Sequence, residues 1–283
     1  FRYDNALCEG RMTATGQVMR SDVGVRATLQ ALRERFRNAK RAGLACGIKN
    51  TGIGNGINDE SLVKIEIVSS EKIVIHHGWT EMGQGVHTVA RQVVCQETGL
   101  NPAIMEVRVD TFSGARSGMT TASRATSLVG NALINATEKL KRDLQNHSLA
   151  KLSGRIYTGQ WLCDWTTPPR DDGGTVTHYS YGYASQMVVL NEDGEVERVV
   201  AAHDAGKIVN PLLFEGQIQG AVVMGLGYAL TEDLPLKEGL PVSTRFADLG
   251  LFRAHQVPQI EVIGVEVAEI GRASCRERVC SVV

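Results

Sequence analysis

Between residues 62 and 99 the chain reads strand, turn, strand, glycine-rich loop, helix, and few folds accommodate that order. Residues 62–68 and 72–75 are short apolar runs joined by a tight turn, the pattern of a β-hairpin. The loop Gly78-Trp79-Thr80-Glu81-Met82-Gly83-Gln84-Gly85 follows, and Val86, Val89, Val93 and Val94 then recur at helical spacing toward a stop at Gly99. A glycine-rich strand-to-helix turn presents bare backbone N–H groups at the positive end of a helix dipole, which suits an anionic ligand. The spacing is not the G-x-G-x-x-G dinucleotide fingerprint. Nor is it a P-loop, because the only nearby Gly-Lys pair, Gly206-Lys207, is followed by Ile208.

Similar alternations occupy the rest of the chain. Ser21 and Asp22 make a plausible helix start, followed by Val25, Leu29, Leu32, Phe36 and Ala39, with Gly43 as a stop. Residues 44–48 read as a buried strand and residues 104–109 as an alternating one. A polar loop over 113–121 precedes a long helix through Leu128, Leu133, Leu140 and Leu144. Residues 150–175, with Pro168, Pro169, Gly173 and Gly174, read as a linker. Strands over 176–190 and 195–202 flank the turn Asn191-Glu192-Asp193-Gly194. Asn210-Pro211 marks a helix start, and the helix runs to Leu230 despite its glycines. A last strand covers 260–267. Hairpins with helices in two similar halves predict an α+β fold rather than a doubly wound sheet, with subdomains at 1–155 and 156–269.

Composition narrows the class. The chain has 283 residues, 43% hydrophobic and 22% charged, with a formal net charge of −1, so no basic nucleic-acid footprint is present. No apolar stretch reaches the ~20 residues needed to span a bilayer. The six cysteines form no Cys-x-x-Cys pair, which fits reduced thiols in a cytoplasmic protein and no zinc or iron–sulfur site. Cys95 falls on an apolar helix face, as a small buried hydrophobe does. The tail over 270–283 has no periodicity and reads as a translated sequencing adapter, outside the fold.

Three loops share one logic: each follows a strand, enters a helix and is rich in small or amide-bearing residues. They are Met82-Gly83-Gln84-Gly85, Gly118-Met119-Thr120-Thr121-Ala122-Ser123, and Asp204-Ala205-Gly206-Lys207 through Asn210-Pro211. Helix starts carry unpaired N–H groups, and Ser, Thr and Gln add directed donors. If the three starts converge, they cradle a phosphate and a polar heterocycle; taken singly, each is an ordinary cap.

Together these segments resemble the molybdenum hydroxylases, the family of xanthine dehydrogenases and aldehyde oxidoreductases. Met82-Gly83-Gln84-Gly85 is similar to that family's loop over molybdopterin, and Thr120-Thr121-Ala122-Ser123 to its Thr-Thr-Ala-Ser segment. His203-Asp204-Ala205-Gly206 resembles its Asp-Val-Gly, and Gln217 through Met224-Gly225-Leu226-Gly227 its Gly-Gln-x-x-Gly…Gly-Leu-Gly. Many relatives carry glutamine where Met224 stands. The stretches Ala45-Cys46-Gly47-Ile48-Lys49-Asn50, Cys163-Asp164-Trp165-Thr166-Thr167 and Ala229-Leu230-Thr231-Glu232-Asp233 resemble the selenium-dependent xanthine dehydrogenases.

The resemblance implies molybdopterin, in its cytosine dinucleotide form, with molybdenum. It implies hydroxylation of a purine such as xanthine with water as oxygen source; an aldehyde or carbon monoxide oxidising relative is the near alternative. A non-catalytic phosphate- or nucleotide-binding module is the distant one. It places cofactor contacts at Met82, Gly83, Gln84, Gly85, Thr120, Thr121, Ala122, Ser123, Thr126, Asp204, Gly206, Met224 and Gly225. Gln84 is expected to hydrogen-bond the metal's oxo group without ligating the metal. Iron–sulfur and FAD groups are expected on other domains or subunits. The family's general base lies in a Gly-x-Gly-Glu segment that does not occur before Glu269, so this stretch alone is expected to be inactive. Glu81, Glu215 and Glu232 do not match that segment and read as surface or supporting acids. His76 and His77, adjacent in a strand, should point to opposite faces.

Overall fold

A computed structural model describes residues 1–21, 23–170 and 174–267. In chain order the elements are α1 (Arg2–Asn5), α2 (Val25–Asn38), β1 (Ala42–Thr51), β2 (Asp59–Ser69), β3 (Lys72–His76), α3 (Val86–Thr98), β4 (Met105–Arg108), α4 (Ala125–Leu144), β5 (Ile156–Cys163), β6 (Ser180–Leu190), β7 (Val196–Asp204), α5 (Pro211–Leu230), β8 (Leu236–Lys237), β9 (Leu240–Pro241) and β10 (Gln259–Gly264). The α+β expectation holds: two four-stranded sheets, ordered β4-β3-β2-β5 and β1-β6-β7-β10, carry the helices.

The first sheet is built on the predicted hairpin. β2 and β3 pair antiparallel, β4 joins β3 in parallel through the α3 crossover, and β5 pairs antiparallel with β2. Alternation along β2 turns Val63, Ile65 and Ile67 into the core, where they meet Val89, Val93 and Val94 of α3 and Leu128, Leu133 and Leu140 of α4. Helix α3 stops where expected, with Gly99 at φ 72° and its N–H donating to the Cys95 carbonyl. Cys95 packs against this core as a partly buried residue.

In the second sheet β7 is buried on both faces, which explains its unbroken apolar run. Val199 and Ala201 face Phe214, Ile218 and Val222 of α5, while Val200 and Ala202 face Leu32 of α2. Strands β6 and β7 form the predicted hairpin around 191–194; the Asn191 N–H donates to the Glu195 carbonyl, and Gly194 has φ 86°. Before β2 begins, α2 and β1 already lie in this second layer, and β5 belongs to the first.

Four local expectations are corrected. Residues 150–175 are not a plain linker, because Ile156–Cys163 is a strand of the first sheet. Gly159 lets that strand press on α4: a Cβ there would stand 2.0 Å from the Ala132 carbonyl oxygen. Residues 44–48 do form strand, but on a sheet edge and largely exposed rather than buried. Helix α2 ends at Asn38, so Gly43 is no helix stop and lies inside β1. The start of α2 is Gly24, not Ser21, because the Asp204 carboxylate crowds that turn; a Cβ at Gly24 would sit 1.9 Å from its Oδ2. Asp22, Gly173 and the tail over 270–283 lie outside the described residues.

Candidate functional site

The three helix starts meet. One small cleft, with a cavity volume of about 20 Å³, is lined by Gln84 and Val89 from the first loop and α3, by Thr126 from the first turn of α4, and by Ala205, Ile208, Val209, Asn210, Leu213 and Phe214 from the third loop and α5. Two contacts lock α5 onto α3. Gly85 (φ 86°) carries no side chain where a Cβ would stand 2.4 Å from Leu213, and Asn210 Nδ2 donates to Gln92 Oε1 at 2.9 Å. Asn210 also caps α5 as expected, accepting from the Leu213 N–H at 3.0 Å. The second loop is tied to the first, because the Thr80 N–H donates to Thr120 Oγ1 at 2.9 Å.

The first loop is organised by Glu81, a residue expected only at the surface or in support. Glu81 Oε1 accepts from the N–H groups of Gly83 (2.9 Å) and Gly85 (2.8 Å), and Oε2 from that of His87 (3.1 Å). The supposedly bare N–H groups are therefore occupied by the chain's own carboxylate. Burial alone would raise the Glu81 pKa, but the hydrogen bonds from Gly85, His87 and Gly83 together hold it below its usual value. Gln84 folds over the same loop: its Oε1 accepts from the Met82 N–H at 2.6 Å and its Nε2 donates to the Thr80 carbonyl at 2.8 Å. An amide nitrogen carries two protons, so one remains for a ligand. Nothing stands within 4 Å of where a Gly83 Cβ would be, so the loop crest is open.

The second loop carries strain and charge. Ala122 and Ser123 adopt φ of 57° and 50°, a left-handed conformation costly for residues with a Cβ. The Gly52 N–H holds this bend by donating to the Ala122 carbonyl at 3.1 Å. Beside it, buried Arg124 donates to Asp59 Oδ1 at 2.5 Å and to the Met119 carbonyl, and its guanidinium lies 5.1 Å from the Trp79 ring centre. Trp79 is itself fixed by donating to Ser61 Oγ at 3.0 Å. This hub was missed in the sequence. Its one trace is an arginine immediately before a long apolar helix, where a cation opposes the dipole and needs a partner. No side chain caps α4, whereas α3 has Glu81 and α5 has Asn210.

Other expected residues fall on or off this centre. Asp204 is buried and accepts from the Gly206 N–H at 3.0 Å, shaping the third loop behind the cleft. Thr121 donates its N–H to the Met119 carbonyl within the second loop. Met82 is exposed on the crest. Met224 and Gly225 are not brought to the cleft; they sit on α5 about 20 Å along the axis from its start, with Met224 73% exposed and open space beside Gly225.

His76 and His77 do diverge, His76 toward Glu66 (3.0 Å) and His77 toward the Trp79 N–H (3.1 Å), which donates to its Nδ1. His77 is fully buried, with its ring 5.2 Å from that of His87. Burial first, and then His87, pushes its pKa down to about 4, against the opposing pull of Glu81. Trp161 packs edge-on to Trp165 and Tyr179, at 5.5 and 5.6 Å, as a packing anchor. Among the described residues no group of three His, Cys, Asp or Glu side chains could hold a metal ion.

The fold is α+β with one cleft at its helix starts, and comparison with known proteins gives its family. The family model for the molybdopterin cofactor-binding domain matches residues 20–156 and 147–258, and the chain belongs to that family. It is similar to a probable xanthine dehydrogenase subunit of Bacillus subtilis (strain 168), at 26% identity over 262 residues, 79% of this chain and 35% of the relative. It is also similar to the putative xanthine dehydrogenase molybdenum-binding subunit of Escherichia coli (strain K12), at 28% identity over 242 residues, 70% of this chain and 31% of the relative. In fold it matches the aldehyde oxidoreductase of Desulfovibrio gigas with a TM-score of 0.77 and 22% identity, over 94% of this chain and 32% of that one. The chain spans about a third of the length of the curated relatives it matches. Among the described residues no helix is long and apolar enough to cross a membrane.

Proposed function

We propose that this chain is the cofactor-binding part of a cytoplasmic molybdenum hydroxylase that acts on a purine such as xanthine. The observation that carries the reading is the single cleft shared by Gln84, Thr126 and the 205–210 loop, three segments far apart in sequence. The donor set suits molybdopterin. The loop before α4 and its first turn, with Thr120, Thr121, Ala122, Ser123 and Thr126, would hold a phosphate and the distal part of the cofactor. The open crest at Gly83 leaves room for the pterin to approach, while the space beside Gly85 is taken by Leu213. Gln84 keeps one amide proton for an oxygen on the metal. Asp204 and Gly206 fix the loop behind it. Met224 and Gly225 stay in the proposed cofactor set on the resemblance alone, and the thioether of Met224 brings no amide proton.

When bound, the cofactor supplies two-electron oxidation of an electrophilic carbon, with water as the oxygen source. The general base falls outside the described residues in this reading. Glu81 is committed to three N–H groups and held ionised, and Glu215 accepts from Gln219 at 3.0 Å on α5. The cytosine dinucleotide form and the selenium-dependent subgroup belong to the same proposal, the latter resting on the 45–50, 163–167 and 229–233 stretches. Partner iron–sulfur and FAD subunits are in keeping with relatives named as subunits, one of them the gamma subunit of a 6-hydroxypseudooxynicotine dehydrogenase complex.

The test is dye reduction by the full-length natural protein, made in a molybdenum-competent host, with xanthine, an aldehyde and carbon monoxide in turn. Turnover of xanthine above the others supports the proposal. Preference for an aldehyde or carbon monoxide moves it to the near alternative. A protein without molybdenum returns it to the non-catalytic binding module.

A further inference from the structure

The hydrogen bonds of Glu81 all go to the loop that carries Gln84, and that loop holds the proposed metal contact. Its two carboxylate oxygens gather the N–H groups of Gly83, Gly85 and His87, which lie on both sides of Gln84. Gly83 and Gly85 have φ of 100° and 86°, a backbone that glycine adopts without strain and that turns their N–H groups to the Glu81 carboxylate. The Gln84 amide then spans the same turn, from the Met82 N–H to the Thr80 carbonyl. Free rotation of that amide is thereby removed, and the direction of its remaining proton is set by the shape of the turn.

We infer that Glu81 is a positioning residue: its carboxylate is a built-in anion that fixes the 82–85 turn and so aims the free amide proton of Gln84 at the cofactor. This rests on the molybdopterin reading above. Charge-assisted acceptance is the strong kind of hydrogen bond, and a glutamine in its place can accept with only one oxygen and turns N–H donors toward the His87 N–H.

The experiment uses the full-length molybdenum-loaded protein and the variants Glu81→Gln, Glu81→Asp, Gln84→Ala and Glu81→Gln/Gln84→Ala. Two quantities are read: molybdenum per chain, and the electron paramagnetic resonance signal of the partly reduced metal. Glu81→Gln should lower retained molybdenum about tenfold, the loss of one charge-assisted bond. It should shift the resonance in the same direction as Gln84→Ala, and the double variant should add little to either single one, because the two residues act as one unit. Glu81→Asp keeps the charge and should recover part of the occupancy and the original signal. A loaded Glu81→Gln protein with unchanged signal, or additive effects in the double variant, overturns the role of Glu81 while leaving the cofactor reading intact. A wild-type protein without molybdenum overturns the cofactor reading itself.

Discussion

Buried Arg124 and Asp59 show what a single side chain contributes. Their ion pair, 2.5 Å long with both side chains almost wholly buried, joins the second loop to β2 beneath Trp79. Removing one charge from such a pair leaves the other stranded. Asp59→Asn should therefore cost about 3–5 kcal/mol in urea unfolding, and a loss below 1 kcal/mol would mean that the pair behaves as an exposed one. His77 makes a second prediction. Its pKa falls from 6.5 in the unfolded chain to about 4 in the fold, so the unfolded state binds more protons between those values. The stability from keeping His77 neutral is complete above pH 6.5 and drains away as pH falls toward 4, by about 3 kcal/mol at most. His77→Asn, whose side-chain oxygen can still accept from the Trp79 N–H, should flatten that part of the stability–pH curve.

Elements were readable from the sequence where period and punctuation agreed. The β2–β3 hairpin, α3 with Gly99, α4, the 191–194 turn and the Asn210-Pro211 start of α5 all lie where apolar spacing and cap residues put them. The failures share a cause: they depend on what another element does. β5 reads as linker because Pro168, Pro169, Gly173 and Gly174 follow it closely, and Gly159, which allows its contact with α4, gives no sign of that contact in the sequence. A Cβ at Gly159 would stand 2.0 Å from the Ala132 carbonyl and 2.5 Å from the Ala136 nitrogen. Gly159→Ala should thus push β5 off α4 and lower stability by about 1–3 kcal/mol in thermal unfolding; a neutral result would show that strand and helix can slide apart freely. The same blindness hid Glu81. Spacing announced an anion-binding turn, but not that the anion is four residues from Gly85 in the same chain.

At the scale of the molecule, segments from both four-stranded layers line one cleft. Gln84, Thr126 and residues 205–210 come from different strand-to-helix segments, and the Asn210–Gln92 hydrogen bond and the Leu213–Gly85 contact hold the start of α5 against that of α3. The cradle's chemistry was visible in the sequence as Gln, Thr and Asn at helix starts; its convergence was not, because convergence depends on layer packing. One face of α5 is likewise explained by Phe214, Ile218, Val222 and Leu226 against β7 and its neighbours, while Leu212, Met224 and Tyr228 on the same helix are 79%, 73% and 83% exposed. Sequence alone shows that this helix is apolar all round, but not which side its own sheet covers. The most direct test of the convergence is anomalous diffraction at the molybdenum edge from crystals of the full-length, cofactor-loaded protein. The account predicts one strong peak beside Gln84, at the mouth of the cleft lined by Thr126 and Asn210. A peak remote from Gln84, or a loaded protein whose metal lies on the far side of either sheet, would contradict it.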